Sequence, residues 1–150
     1  MHERLYTTKR KSIVNALSEE IKKIDGTGEF LSDLGGNVLP NLKFFDEIEE
    51  FPAVHVAAGR EVRNYLPGGV KERFLSVTIR VYVKSEDSLD DLEKLLEDLE
   101  TVIEKNGRLA YQDPLGRMNM TQDITIQQID TDEGVLAPLG VGEILLQVRY

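Results

Sequence analysis

Residues 75–83 read Leu-Ser-Val-Thr-Ile-Arg-Val-Tyr-Val, and this strict alternation constrains the fold more than any other stretch of the chain. Successive side chains of a β-strand point to opposite faces. Leu75, Val77, Ile79, Val81 and Val83 therefore share one face, and Ser76, Thr78, Arg80 and Tyr82 share the other. One apolar and one wetter face call for a sheet covered on one side. The strand is expected over residues 71–84. A Pro67-Gly68-Gly69 turn and a second strand-like run, residues 62–66, precede it, so the pair reads as a long β-hairpin. A further run, residues 53–57, comes earlier, and Gly59 after it predicts a bulge or bend.

Two amphipathic helices supply the cover. In residues 8–24, Ile13, Leu17, Ile21 and Ile24 recur at helical spacing, and Gly26 and Gly28 follow as a stop. The second helix begins behind Ser85 or Ser88 as cap, with acidic residues in its first turn, which suit the helix dipole. Leu89, Leu92, Leu95, Leu96, Leu99, Val102 and Ile103 form its stripe, and Asn106-Gly107 ends it. Between the first helix and the sheet, Leu34-Gly35-Gly36-Asn37 is a turn signal, Pro40 blocks a helix, and residues 43–48 are expected as a strand. Residues 109–120 read as a polar loop. Residues 124–129 and 142–150 read as the last two strands, joined through an Asp/Gly turn at residues 131–134. The order predicts an α+β fold: a mostly antiparallel sheet with a long β-hairpin and two amphipathic helices packed on one face. At 150 residues, without repeat or linker, one domain is expected.

Composition narrows the function. The formal net charge of -9 disfavours a protein that grips nucleic acid. Lys9-Arg10-Lys11, the one basic cluster, reads as the solvated first turn of a helix. The absence of cysteine excludes disulfides, thiolate metal sites and thiol nucleophiles. No run approaches the roughly 20 apolar residues of a membrane span, and no signal-peptide pattern opens the chain, so a soluble intracellular protein is expected.

The residues that carry chemistry elsewhere form no readable site here. His2 precedes the first helix, and His55 sits in a strand between Val54 and Val56, without a serine and acid in a known pattern. A calcium loop beginning at Asp130 would need its bidentate glutamate where Val141 stands. Gly26-Thr27-Gly28 follows a helix, whereas a dinucleotide loop follows a strand. The acid pairs Asp90-Asp91 and Glu97-Asp98 are expected on the solvated side of the second helix. No catalytic, cofactor or metal residue is assigned. Tyr65 and Tyr111 are either packed on neighbours or interface anchors.

The order of elements resembles the tail terminator proteins of long-tailed bacteriophages, including the lambda-like family. The residues that carry the likeness are the strand opening Phe51-Pro52-Ala53-Val54-His55-Val56, the hairpin and long strand, the Leu-rich helix, the Asp132-Glu133-Gly134 turn and the closing Arg149-Tyr150. The resemblance implies a structural virion protein, assembled in the host cytoplasm, that forms a hexameric ring on the tail tube. It implies that the ring stops tube polymerisation, joins the tail to a head-completion or neck protein, and lets DNA pass without binding it. No membrane and no cofactor is implied. For such a ring the hairpin is the expected contact element, through Arg60, Glu61, Arg63, Tyr65, Glu72 and Arg73, the alternative being an ordinary solvated hairpin. The loop with Tyr111, Met118 and Met120 is a second candidate surface, the alternative being burial under the sheet. Two other readings stay open: another head–tail connector or tube component, and a small α+β enzyme or ligand-binding domain with a pocket near His55.

Overall fold

The structure is a computed structural model that describes residues 7–150; His2 lies outside the described residues. Helix α1 spans Lys9–Ile21, and the side chain of Thr8 caps it by accepting from the Lys11 amide. The helix ends before Ile24, yet Ile24 is buried with Ile13, Leu17 and Ile21.

The next segment departs from expectation. The early strand is not at residues 43–48 but at Val38–Leu39 (β1), which pairs parallel with the following long strand. Residues 43–48 hold a single 3-10 turn, Phe45–Glu47. The reason lies in side-chain direction. A helical turn puts residues three apart on one side, whereas a strand would send them to opposite faces. Phe45 and Ile48 thereby both join a small apolar cluster with Leu39, Ala53 and Tyr82.

Strands β2 (Ala53–Leu66) and β3 (Val70–Lys84) form the long hairpin. The two runs expected before the Pro-Gly-Gly turn are one strand, with a register shift between Ala58 and Glu61 where Gly59 signalled a bulge. Gly68 and Gly69 make the turn with φ of 85° and 79°, a conformation that a side chain disfavours. Helix α2 spans Ser88–Lys105. Its cap is Asp87, which accepts from the Asp90 amide at 3.3 Å, and not Ser85 or Ser88. Leu92, Leu95, Leu96, Leu99, Val102 and Ile103 are buried as the stripe predicts, but Leu89 is exposed.

Residues 109–120 are not a plain loop. They hold β4 (Ala110–Gln112) and β5 (Met118–Met120), paired as a separate small hairpin. Its loop is closed by the buried Asp113, whose carboxylate accepts from the amides of Leu115 and Arg117 and the side chains of Arg117 and Asn119. Strands β6 (Asp123–Thr131) and β7 (Leu139–Arg149) complete the main sheet, in the order β1-β2-β3-β7-β6. Every pairing in it except β1 with β2 is antiparallel.

The core lies between this sheet and both helices. Leu75, Val77, Ile79, Val81 and Val83 meet Ile144, Leu146 and Val148 of β7 and the apolar stripes of α1 and α2. Close approach of α2 needs glycine on β7. A Cβ at Gly140 would stand 2.7 Å from Val83 Cγ2, and one at Gly142 would stand 3.2 Å from Leu92 Cδ1. The second apolar cluster covers one end of the opposite sheet face.

Candidate interaction surfaces

Beyond the pairing of Phe74 with Arg149, β3 has no second strand neighbour among the described residues, so the end of the β2–β3 hairpin leaves the sheet as a two-stranded arm. Register decides its two sides. Leu66 faces Val70, Asn64 faces Glu72 and Val62 faces Phe74; Tyr65 pairs with Lys71 and Arg63 with Arg73 on the other side. One side is therefore largely apolar and the other basic with one aromatic ring. Tyr65, Val70, Val62 and Leu66 are 66%, 53%, 52% and 43% exposed. Lys71 lies over the Tyr65 ring, 5.8 Å from its centroid.

The arm is fixed at its base by a polar junction. Tyr150 donates from its hydroxyl to Glu61, and Arg63 Nε donates to the other Glu61 oxygen. Arg10 of α1 donates to the carbonyl of Gly59 in the bulge. Arg73 sits over the Tyr150 ring at 5.4 Å, and its carbonyl accepts from the Tyr150 amide at 3.1 Å. Burial by itself would push the Glu61 carboxyl up, but hydrogen bonds from Tyr150 and Arg63 and the charges of Arg63 and Arg10 outweigh it and hold it below the usual range. Burial, then the bond to Glu61, pushes the Tyr150 hydroxyl up to about 12.

The residues expected at an interface thus fall into two groups. Arg60, Arg63, Tyr65, Met118 and Met120 are exposed. Glu61, Glu72, Arg73 and Tyr111 are engaged within the chain: Glu72 lies 3.8 Å from Arg149, and Tyr111 is buried, edge-on to Tyr150 at 6.2 Å. Of the two readings of Tyr111, packing on a neighbour is the one found. In the β4–β5 hairpin Tyr111 turns inward, while Met118 and Met120 stand 66% and 51% exposed beside Gln112 and Ala110.

One surface carried no motif and was missed. Phe44 is 78% exposed and Leu42 57% exposed at the edge of a groove of about 370 Å³. Phe45, Tyr82 and Val141 line the groove, with the Arg80–Glu143 ion pair, 3.0 Å, at its rim. The four exposed carboxylates of Asp46, Glu47, Glu49 and Glu50 adjoin it in sequence. The one available signal was acidic and aromatic residues interleaved at residues 44–50, a pattern also common on solvated loops.

The described residues contain no group of three or more His, Asp or Glu side chains placed to hold a metal ion, and no helix long and apolar enough to cross a membrane. A family model for the bacteriophage tail tube terminator protein matches residues 7–150. The chain belongs to that family. It is also 42% identical over 149 residues to the tail tube terminator protein p142 of Escherichia phage T5, a match spanning 94% of this chain and 92% of that protein.

Membership makes this a structural component of a phage tail and not an enzyme. The groups that invited a catalytic reading in the sequence are structural in this terminator fold. His55 is buried beside Arg80 on the neighbouring strand, and burial, then that charge, lowers its pKa. Its Nδ1 has no partner among the described residues. Asp98, expected on the solvated side of α2, is buried at 1% exposure. Its carboxylate accepts from the amides of Leu31 (2.8 Å) and Ser32 (2.7 Å) and from the Ser32 hydroxyl, tying the irregular segment after α1 to the second helix. For a tail terminator, the arm, the methionine face of the β4–β5 hairpin and the acidic aromatic groove are three exposed surfaces available for contact.

Proposed function

We propose that copies of this chain close into a ring on the end of the tail tube, six in number as the resemblance to lambda-like terminators implies. The ring stops tube polymerisation and offers its far side to a head-completion or neck protein. The observation that carries this reading is the arm. An isolated two-stranded ribbon is marginal in water, and exposed apolar residues clustered on one favour burial against a partner. An arm that meets a different surface on the next copy makes a head-to-tail contact, and such contacts close into rings when the rotation allows. A net charge of -9 suits a passage through which DNA slides without being held.

The test has two parts. Light scattering over a range of concentration and magnesium measures the mass in solution, and negative-stain imaging of isolated tails incubated with the protein locates it. A closed oligomer near six copies, seated on the tube end alone, is expected. Decoration along the tube or at the portal would favour a tube or connector role. A strict monomer that binds no tube would overturn the ring.

A further inference from the structure

We propose that the arm of one copy seats in the acidic aromatic groove of the next, with Val62, Leu66 and Val70 covering Phe44, Phe45 and Tyr82. The inference rests on the ring reading and names the contact from which the ring is built.

The first argument is apolar matching. The arm presents exposed aliphatic side chains on one side, and the groove presents exposed Phe44 and Leu42 above a floor that includes Tyr82 and Val141. Bringing the two together removes exposed apolar side chains of each from water.

The second argument is charge. Residues 60–73 carry four basic side chains against two acidic ones, a net of +2, in a chain whose total is -9. Residues 42–50 carry four acidic side chains against one basic, a net of -3. None of Asp46, Glu47, Glu49 and Glu50 forms an ion pair among the described residues, and neither do Arg60 and Lys71. Arg63, Lys71 and Arg73 stand on the side of the arm away from its apolar residues, so the opposite net charges of the two segments act at longer range, steering their approach and rejecting wrong partners.

The third argument is geometry. Val70 opens β3 and Tyr82 lies near its end, so the two surfaces sit at opposite ends of the same strand. At about 3.3 Å per residue the separation is roughly 40 Å. The arm therefore cannot reach the groove of its own chain. Contact between them joins two copies, one surface on each, and leaves a free arm and a free groove at the two ends of the pair. That is a heterologous contact, the kind that builds rings.

The chain has no cysteine, so an engineered pair gives a clean readout. Full-length protein carrying both Leu66→Cys and Phe44→Cys is assembled in solution or on isolated tail tubes and imaged. It is then oxidised and run without reductant. A ladder of disulfide-linked copies is expected, and each single variant is expected to stop at dimers or below. A ring without the ladder overturns the arm-in-groove contact while the ring reading stands, the arms then meeting tube or neck. An equal ladder from Leu66→Cys with Val135→Cys, which is 82% exposed, overturns it as random collision. No ring in solution or on tubes overturns the ring reading and the contact together. A charge exchange gives an independent readout. Arg60→Glu with Lys71→Glu should weaken assembly on the order of tenfold, and adding Glu47→Lys with Glu49→Lys should restore it. Weakening without restoration counts against the pairing.

Discussion

The hydroxyl of Tyr150 donates a hydrogen bond to the carboxylate of Glu61, across a sequence separation of 89 residues. The bond joins the last strand region to the bulge from which the arm departs. Glu61 is the residue at which the β2–β3 register resumes after that bulge. The contact therefore sets where the arm begins and how it leaves the sheet. Removing the hydroxyl with Tyr150→Phe should cost about 1.5–3 kcal/mol, in line with hydrogen bonds to charged groups. Chemical denaturation measures the loss. Hydrogen exchange should speed up in residues 59–73 and not in α2; protection that is unchanged in the arm would show that the bond does not anchor it.

The same pair gives the arm a pH window. Glu61 is held below the ordinary carboxyl range, so its contribution is fully present above the unfolded value of roughly 4.3 and is lost as pH falls through the folded value. Tyr150 is pushed up to about 12, so its contribution is present below the unfolded value of roughly 10 and is lost as pH rises towards the folded one. Tyrosinate absorbance should show a late-titrating tyrosine with a midpoint near 12 that disappears in Tyr150→Phe. A titration that the substitution leaves unaltered would contradict the assignment.

Asp98 accepts the amides of Leu31 and Ser32 from a buried position. Asp98→Ala leaves both amides and the Ser32 hydroxyl without their acceptor and should destabilise by about 3 kcal/mol. Asp98→Asn keeps the shape and should cost less. Urea midpoints of the two variants decide this, and equal midpoints near the parent would mean that water replaces the carboxylate at no loss.

Gly140 has no room for a side chain. Its added Cβ meets Val83 Cγ2, the branch of a stiff β-branched residue, with Ser88 of α2 behind it. Gly140→Ala should cost about 1–3 kcal/mol through overpacking. Gly107→Ala, where an added Cβ meets nothing within 4 Å, should change stability far less. Similar losses at both positions would point to a backbone effect in place of the clash.

Reversal of Arg63 or Arg73 should weaken ring assembly, but both touch the base of the arm. Arg63 bonds Glu61 and Arg73 covers Tyr150, so either reversal also loosens the junction. Leu66→Asp isolates the interface, because Leu66 is exposed at the arm tip. It should leave the melting curve within about 0.5 kcal/mol of the parent. Assembly, followed by light scattering, should drop by tenfold or more. Full assembly in this variant would remove the apolar side of the arm from the ring contact.

What could be read from the residues were the regular elements with a strong period. The alternation of β3, the leucine stripe of α2, the Gly59 bulge and the Pro-Gly-Gly turn each express a local rule that tertiary structure leaves in place. They were enough for the α+β class and for the likeness to tail terminators. Where the reading failed, a local rule met a distant partner. Asp98 looks solvated because its neighbours on the helix are charged, and it becomes buried because two amides in the segment after α1 arrive beside it. Residues 109–120 look like a loop because Pro114 and Gly116 interrupt them, but backbone pairing and the Asp113 carboxylate build a hairpin there.

The candidate surfaces divide in the same way. The sequence by itself determined that the hairpin is long, that its tip carries mixed charge with Tyr65, and that a chain without cysteine has no thiol chemistry. Tertiary structure alone decided which of those charges are free. Glu61, Glu72 and Arg73 are drawn into the base of the arm, while Arg60 and Lys71 are left exposed at the surface. It also decided that Phe44 stands outside the fold while Phe45, its neighbour in sequence, packs edge-on against Tyr82 at 5.3 Å. Periodicity reports which side of its own element a residue occupies. Whether that side is covered depends on where the other elements come to lie, and that is a property of the folded chain.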